Sequence, residues 1–335
     1  MGKSLRGGVR LLRNNIGKRY DMIKVFATFL VVIAHASRMY TGNGVVTPAV
    51  GSLWLARLTD FIYSFHMPLF ICVSGAVYSM CVIDLGKYKN TLKFLTNKAK
   101  RLLIPYIVFG LLYVAPVMWK FGFVQSGFLS YCLNGIILAQ NNRHLWYVLS
   151  LFIIFAFCAL INKLPKKANC FLTLAVLIAL SFVSNRFPLM FSISSAVKYA
   201  HYFAARYIMN KYKEEITAIC KNPFVLLLLA VGFALSYYKN IEVVKAYSMI
   251  LIVFGLSDII PDTVCNNKVF ASLKRNSFGI YLFHPMIIYI MFYYLGNIQT
   301  NAYLLCFSIA AAAFAVSYVL TAVARKAHLG IIIGE

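Results

Sequence analysis

A chain of 335 residues that is 61% hydrophobic and only 13% charged, with a mean hydropathy of +0.76, lacks the polar surface that a water-facing globular enzyme requires. The surplus apolar residues must face lipid, which makes the class a polytopic membrane protein. Lys and Arg outnumber Asp and Glu by 33 to 9; in a membrane protein such a surplus orients loops and meets anionic lipid, so nucleic acid is not an expected partner.

In chain order, charged or Gly/Pro/Asn breaks separate ten apolar stretches of roughly membrane-crossing length: 22–40, 61–83, 102–119, 144–161, 170–187, 197–210, 223–239, 244–260, 276–296 and 303–324. The expectation is an all-α bundle of about ten transmembrane helices, a single membrane-embedded domain over 1–335 with a basic segment at 1–20. That segment, the first stretch and Ala34-His35-Ala36 together imitate a secretory signal, but a membrane domain follows, so the first span is expected to be retained. The basic clusters (through Lys24, Lys87 to Arg101, Lys163 to Lys167, Lys211 to Lys221, Lys268 to Arg275, Arg325-Lys326) hold 24 of the 33 cations and fall on alternate loops. The positive-inside rule then places both termini in the cytoplasm of a multi-pass cell membrane protein. The sixth stretch is the weakest, because it is short and carries Lys198 and Arg206.

Polar and titratable side chains within lipid are costly, which makes them functional candidates. His35, His66, His144, His201 and His284 lie at or within the predicted spans, while Asp and Glu are almost absent there. Imidazole can serve as base and then as acid near neutral pH, as acyl or proton transfer at a hydroxyl requires. Arg19 and Asp21 mark the start of the first span, the Asp as a helix cap, with His35 about 21 Å further along the same face. His35 alone reads equally as a base or as a core histidine with a satisfied hydrogen bond. Phe65-His66-Met67-Pro68 with Ser74-Gly75 places a kinking proline and small residues in the second span. Lys98 and Arg101 share a helix face and can grip a phosphate or simply anchor the span. His144-Leu145-Trp146-Tyr147 opens the fourth span in an aromatic belt, and Arg57 with Asp60 reads as a local ion pair. Ser277, Tyr281 and His284 form one polar stripe on the ninth span, ending at Pro285. The eight cysteines are scattered, with no C-x-x-C and no Cys/His cluster, so neither a metal site nor a disulfide framework is expected.

These blocks, in this order, resemble the acyltransferase-3 family of integral membrane acyltransferases, in particular its fucose O-acetylase-like branch. The matching pieces are Arg19-Tyr20-Asp21-Met22-Ile23-Lys24 with His35, Phe65-His66-Met67-Pro68-Leu69-Phe70 with Ser74-Gly75, Arg101 with Pro105, His144-Leu145-Trp146-Tyr147, and Ser277 through Tyr281 to His284. The resemblance implies an O-acyltransferase that takes an acyl group, usually acetyl, from cytoplasmic acetyl-CoA as co-substrate. The acceptor it implies is a hydroxyl of a surface glycan or of its lipid-linked precursor. It also implies His35 as catalytic base. This chain has Lys98 where the family often has Arg, which keeps the charge and loses the bidentate fork, and Lys24 where an Arg commonly follows the Asp.

The expected site therefore groups His35, Asp21 and His284 as catalytic. Arg19, Lys24, Lys98 and Arg101 are expected on the acyl-CoA phosphates, with His66, Ser74, His144, Trp146 and Tyr281 on the substrates. The competing reading is a transporter or flippase with an intramembrane His/Tyr proton path; a partner of a polysaccharide export machine is a third. Acceptor identity, acyl length and oligomeric state have no sequence signature.

Overall fold

The structure, a computed structural model, describes residues 2–161, 170–205, 212–257 and 260–335. The basic stretch Lys163–Lys167, Arg206 and Lys211 lie outside the described residues. Within them, all regular structure is helical: α1 (Gly2–Ser37), α2 (Leu53–Tyr63), α3 (His66–Ser79), α4 (Thr91–Phe109), α5 (Ala115–Lys120), α6 (Trp146–Ile161), α7 (Cys170–Phe182), α8 (Ile193–Ala204), α9 (Lys213–Lys221), α10 (Pro223–Tyr238), α11 (Glu242–Ser257), α12 (Lys268–Leu295) and α13 (Ala302–Lys326), with short helical turns between some of them.

Five segments of the described residues are long and apolar enough to cross a membrane: Gly17–Thr41, Leu53–Asp84, Thr91–Lys120, Lys268–Leu295 and Ala302–Lys326. A sixth candidate is α9 with α10, bent by 83°. The bend falls at Asn222-Pro223, where the Asn222 side chain accepts the Phe224 N–H at 2.9 Å and Pro223 takes the first helical position, which needs no N–H donor. The remaining apolar stretches are shorter helices, so the chain is a multi-pass membrane protein.

Three sequence expectations change. Residues 2–20 of the basic segment are part of α1, so Asp21 lies mid-helix and cannot cap it. Pro68 breaks the second span rather than bending it: it has no N–H for the Ser64 carbonyl, and the chain breaks at Ser64-Phe65, which leaves Pro68 in the first turn of α3. Arg57 and Asp60 form no ion pair among the described contacts.

Helix α1 is central, packed on α2, α3, α11, α12 and α13. Small residues set the closest approaches, as lipid supplies no hydrophobic force between helices. Ala313, Ser317 and Thr321 of α13 are buried against α12, where a Cβ on Gly279 would lie 2.3 Å from Thr321. Leu304 and Val319 of the same helix are more than half exposed and face outward. Gly75 touches the backbone of Phe203, so α3 and α8 meet without side chains between them. Cys72, Cys220 and Cys306 are buried as small hydrophobes.

Candidate functional site

Residues far apart in sequence bring three imidazoles together. The His35 ring centroid from α1 lies 5.0 Å from His284 of α12 and 6.5 Å from His144 in the turn before α6, and His144 and His284 are 6.1 Å apart. All three side chains are buried. Carbonyl oxygens can only accept, which fixes two tautomers: His284 Nδ1 donates to Ile280 at 2.9 Å and His144 Nε2 to Leu282 at 3.2 Å. Each ring keeps a buried nitrogen with no partner, His284 Nε2 and His144 Nδ1, as does His35 at Nδ1. These are not core histidines with satisfied hydrogen bonds. Among the described residues no three His, Cys, Asp or Glu side chains could hold a metal ion.

His35, His66 and His144 line a cavity of about 480 Å3. His66 opens α3, and its Nδ1 donates at 2.8 Å to the Ile62 carbonyl at the end of α2, which also accepts the Phe65 N–H at 3.3 Å. Trp146 faces this cavity too, with its ring 5.0 Å from Tyr199, so it is part of the wall and not only of an aromatic belt. The wall also includes Arg38, Arg143 and Asn142, which composition and spacing do not single out. Ala139, Arg143 and Ser192 have positive φ of 57°, 51° and 56°, a left-handed backbone that non-glycine residues rarely adopt. Such strain persists only where neighbours enforce it. Here Asn142 donates to Ser192 Oγ at 3.1 Å and Phe191 N–H to the Leu138 carbonyl at 2.8 Å, tying the two strained loops together.

A second cavity of about 600 Å3 is basic, lined by Lys24, Lys98, Arg101, Lys274 and Arg275. Asp21 lines it and pairs with Lys274 at 2.5 Å, so it balances charge here and does not approach His35. Lys98 Nζ sits 4.0 Å from the centre of the Phe155 ring, a cation–π contact that holds the ammonium in place. Arg101 Nε donates to the Gly334 carbonyl at 2.9 Å. Gly334 is left-handed, φ 78°, and a Cβ there would lie 2.6 Å from the Phe278 ring; only glycine lets the segment Gly330–Glu335 seat at this mouth. The Glu335 carboxylate bonds Arg325 at 2.5 Å, and that guanidinium holds it below the usual carboxylate range, with Arg275 and Arg101 adding to the effect against partial burial. Ser74 lines this cavity and donates to Phe70 at 2.8 Å, away from the histidines. Arg19 is not in its wall; it reaches Thr217 at 3.5 Å.

Tyr281 is the residue whose side chain lines both cavities. It donates to the His144 backbone carbonyl and is buried. The stripe read from sequence on α12 thus runs from the basic cavity at Ser277, through the partition at Tyr281, to the histidine cluster at His284. The turn before Pro285 is also where His144 and Tyr113 bond α12 carbonyls, at Leu282 and Phe283.

A family model described as an acyltransferase domain, acyltransferase family 3, matches residues 18–322. The chain belongs to this acyltransferase family. Two curated relatives are similar to it: nodulation protein NolL of Sinorhizobium fredii, 28% identical over 214 residues, and nodulation protein NolL of Mesorhizobium japonicum, 24% identical over 202 residues. The first alignment covers 63% of this chain and 53% of the relative, the second 53% and 52%. The chain therefore spans about half the length of the curated relatives it matches. No solved structure matches it. Both cavities and the three clustered histidines lie within the matched region, apart from residues 330–335.

Proposed function

We propose that the protein is an O-acyltransferase of the cytoplasmic membrane that moves an acyl group, acetyl in the simplest case, from acyl-CoA to a hydroxyl of a surface glycan or its lipid-linked precursor. The observation that carries this reading is that a cavity ringed by lysines and arginines and a cavity lined by histidines share Tyr281 in their walls. In this reading the chain crosses the membrane ten times with both termini in the cytoplasm, since Lys24, Lys98, Arg101, Lys274 and Arg275 belong to the basic clusters and ring one cavity.

The phosphates of coenzyme A meet those cations, and the pantetheine arm runs between α1, α3 and α6 past Ser74 and Tyr147 toward Tyr281. The acceptor hydroxyl comes from the histidine cavity. His35, whose Nδ1 is buried and whose ring lines that cavity, takes the hydroxyl proton through Nε2 while the oxygen attacks the thioester carbonyl. The C–S bond breaks, and the imidazolium returns its proton to the leaving thiolate. His284 and His144, fixed by backbone carbonyls, hold the His35 ring in place, and Arg38 or Arg143 faces the developing oxyanion from the same wall.

The test is to quantify base-labile acyl groups on total surface glycan from a deletion strain complemented with wild type or His35→Ala, with protein levels matched. Acyl groups restored by wild type alone support the reading. Restoration by His35→Ala removes the assigned base, and glycan unchanged in every strain removes the glycan acceptor and favours transport.

A further inference from the structure

A third cavity, about 920 Å3, is larger than either of the other two and borders the histidine cavity, with Tyr63 and Tyr199 in the wall of both. The size of each falls in the range of pockets that enclose an organic ligand. Its wall comes from the end of α2, the segment after α7, the second half of α8 and the turn between α10 and α11.

Two features of that wall restrict the occupant. First, a row of rings leads into it from the histidine cavity: Trp146 to Tyr199 at 5.0 Å, then Tyr199 to Tyr202 at 6.1 Å, with Tyr237 also in the wall. Second, its four charged side chains are balanced, two basic and two acidic. Lys198 pairs with Glu242 at 2.8 Å, Lys245 donates to Asn240 at 2.9 Å, and Asp60 completes the acidic side. A polyanion would meet carboxylates there, and an acyl chain would leave these polar groups without water. A neutral polyhydroxylated chain satisfies both features, because a sugar ring offers C–H groups to an aromatic face and hydroxyls at its edge to carboxylate, amide and ammonium groups.

We infer that this cavity is an extended acceptor subsite, and that the acceptor is an oligosaccharide of largely neutral sugars. The sugar to be acylated occupies the histidine cavity, and its neighbour lies along the Trp146–Tyr199–Tyr202 row. This rests on the acyl-transfer reading and adds to it the class and minimum length of the acceptor.

The experiment uses the full chain purified in lipid nanodiscs with radiolabelled acetyl-CoA. The probes are one-, two- and four-sugar fragments released by mild acid from de-O-acylated surface glycan of the deletion strain. The expected result is a rise in kcat/KM of about tenfold from one sugar to two, carried by KM, as one or two added hydrogen bonds and a stacked ring would supply. Tyr199→Leu and Asp60→Asn are each expected to remove most of that rise. Each variant is compared with itself across fragment length, so a loss of folded protein lowers all rates together and leaves the ratio intact. Equal efficiency at every length in wild type overturns the inference, as does an unchanged length dependence in both variants. No transfer to any fragment overturns the acyl-transfer reading beneath it.

Discussion

The basic and histidine cavities are built by different rules. Around the basic cavity, long cationic side chains extend from α1, α4 and α12 and are placed by loose devices: Lys98 over a ring, Lys274 against Asp21, Arg101 on a carbonyl. Around the histidine cavity, short rings are fixed by backbone carbonyls and by loops held in strained, left-handed conformations. An anion with several phosphates can be held by the sum of several charges, each free to adjust. A proton moved between oxygen and nitrogen needs one geometry. The comparison teaches that the first cavity should tolerate substitution gradually and the second should not.

The largest expected effect is therefore at the histidines. His35→Ala should lower acyl transfer by about 10²–10⁴ fold while the KM for acyl-CoA moves little, measured as radiolabel transferred by purified protein. A variant that kept full transfer would erase the contrast. In the basic cavity, Arg101→Ala should raise the KM for acyl-CoA by about ten- to a hundredfold, the loss of one charge-assisted bond of roughly 1.5–3 kcal/mol, and spare kcat. Arg101→Lys should recover only part, because the fork is lost, and the difference from wild type should shrink in high salt.

Tyr281 sharpens the comparison, since it separates the two regions. Tyr281→Ala should join the cavities and raise acyl-CoA hydrolysis without acceptor several-fold, followed as free thiol release. Tyr281→Phe keeps the ring and loses the bond to the His144 carbonyl, at a cost of about 0.5–1.5 kcal/mol. The smallest effect belongs to Glu335 at the basic mouth, 29% exposed beside Arg325. Its carboxylate lies below the ordinary value when folded, so its contribution is present above about pH 4.3 and lost as pH falls through the lower folded value. Glu335→Gln should cost roughly 1 kcal/mol or less at pH 7, read from thermal unfolding, with the gap from wild type closing in acid.

Much of this was legible in the chain itself. The α12 stripe of Ser277, Tyr281 and His284 was visible because helical spacing of polar residues in an otherwise apolar run has no packing explanation. Lys98 and Arg101 share a face by their spacing of three, a pattern that a positive-inside anchor of the span explains as well. The break before α3 was not, because a proline in the first turn and a proline in mid-helix look alike in a linear sequence; only Phe65, with φ −143°, marks where the helix ends. Ser74 was paired with the histidines by its family motif, yet one further face of α3 turns it toward the basic cavity. Arg143 and Ser192 gave no signal, since their strained backbone is imposed by hydrogen bonds across some fifty residues.

The sequence by itself determined that the chain enters lipid, which of its loops are basic and which few titratable groups it carries into the apolar interior. These are properties of composition and one-dimensional spacing, and each follows from the cost of placing charge in hydrocarbon. The tertiary structure alone decided that His35, His144 and His284 meet while His201 stands apart on Tyr247, that Asp21 faces Lys274, and that one tyrosine divides two cavities. Those outcomes depend on which helices pack together, and small residues such as Gly75 and Gly279 set that through close contacts whose partners no local pattern names.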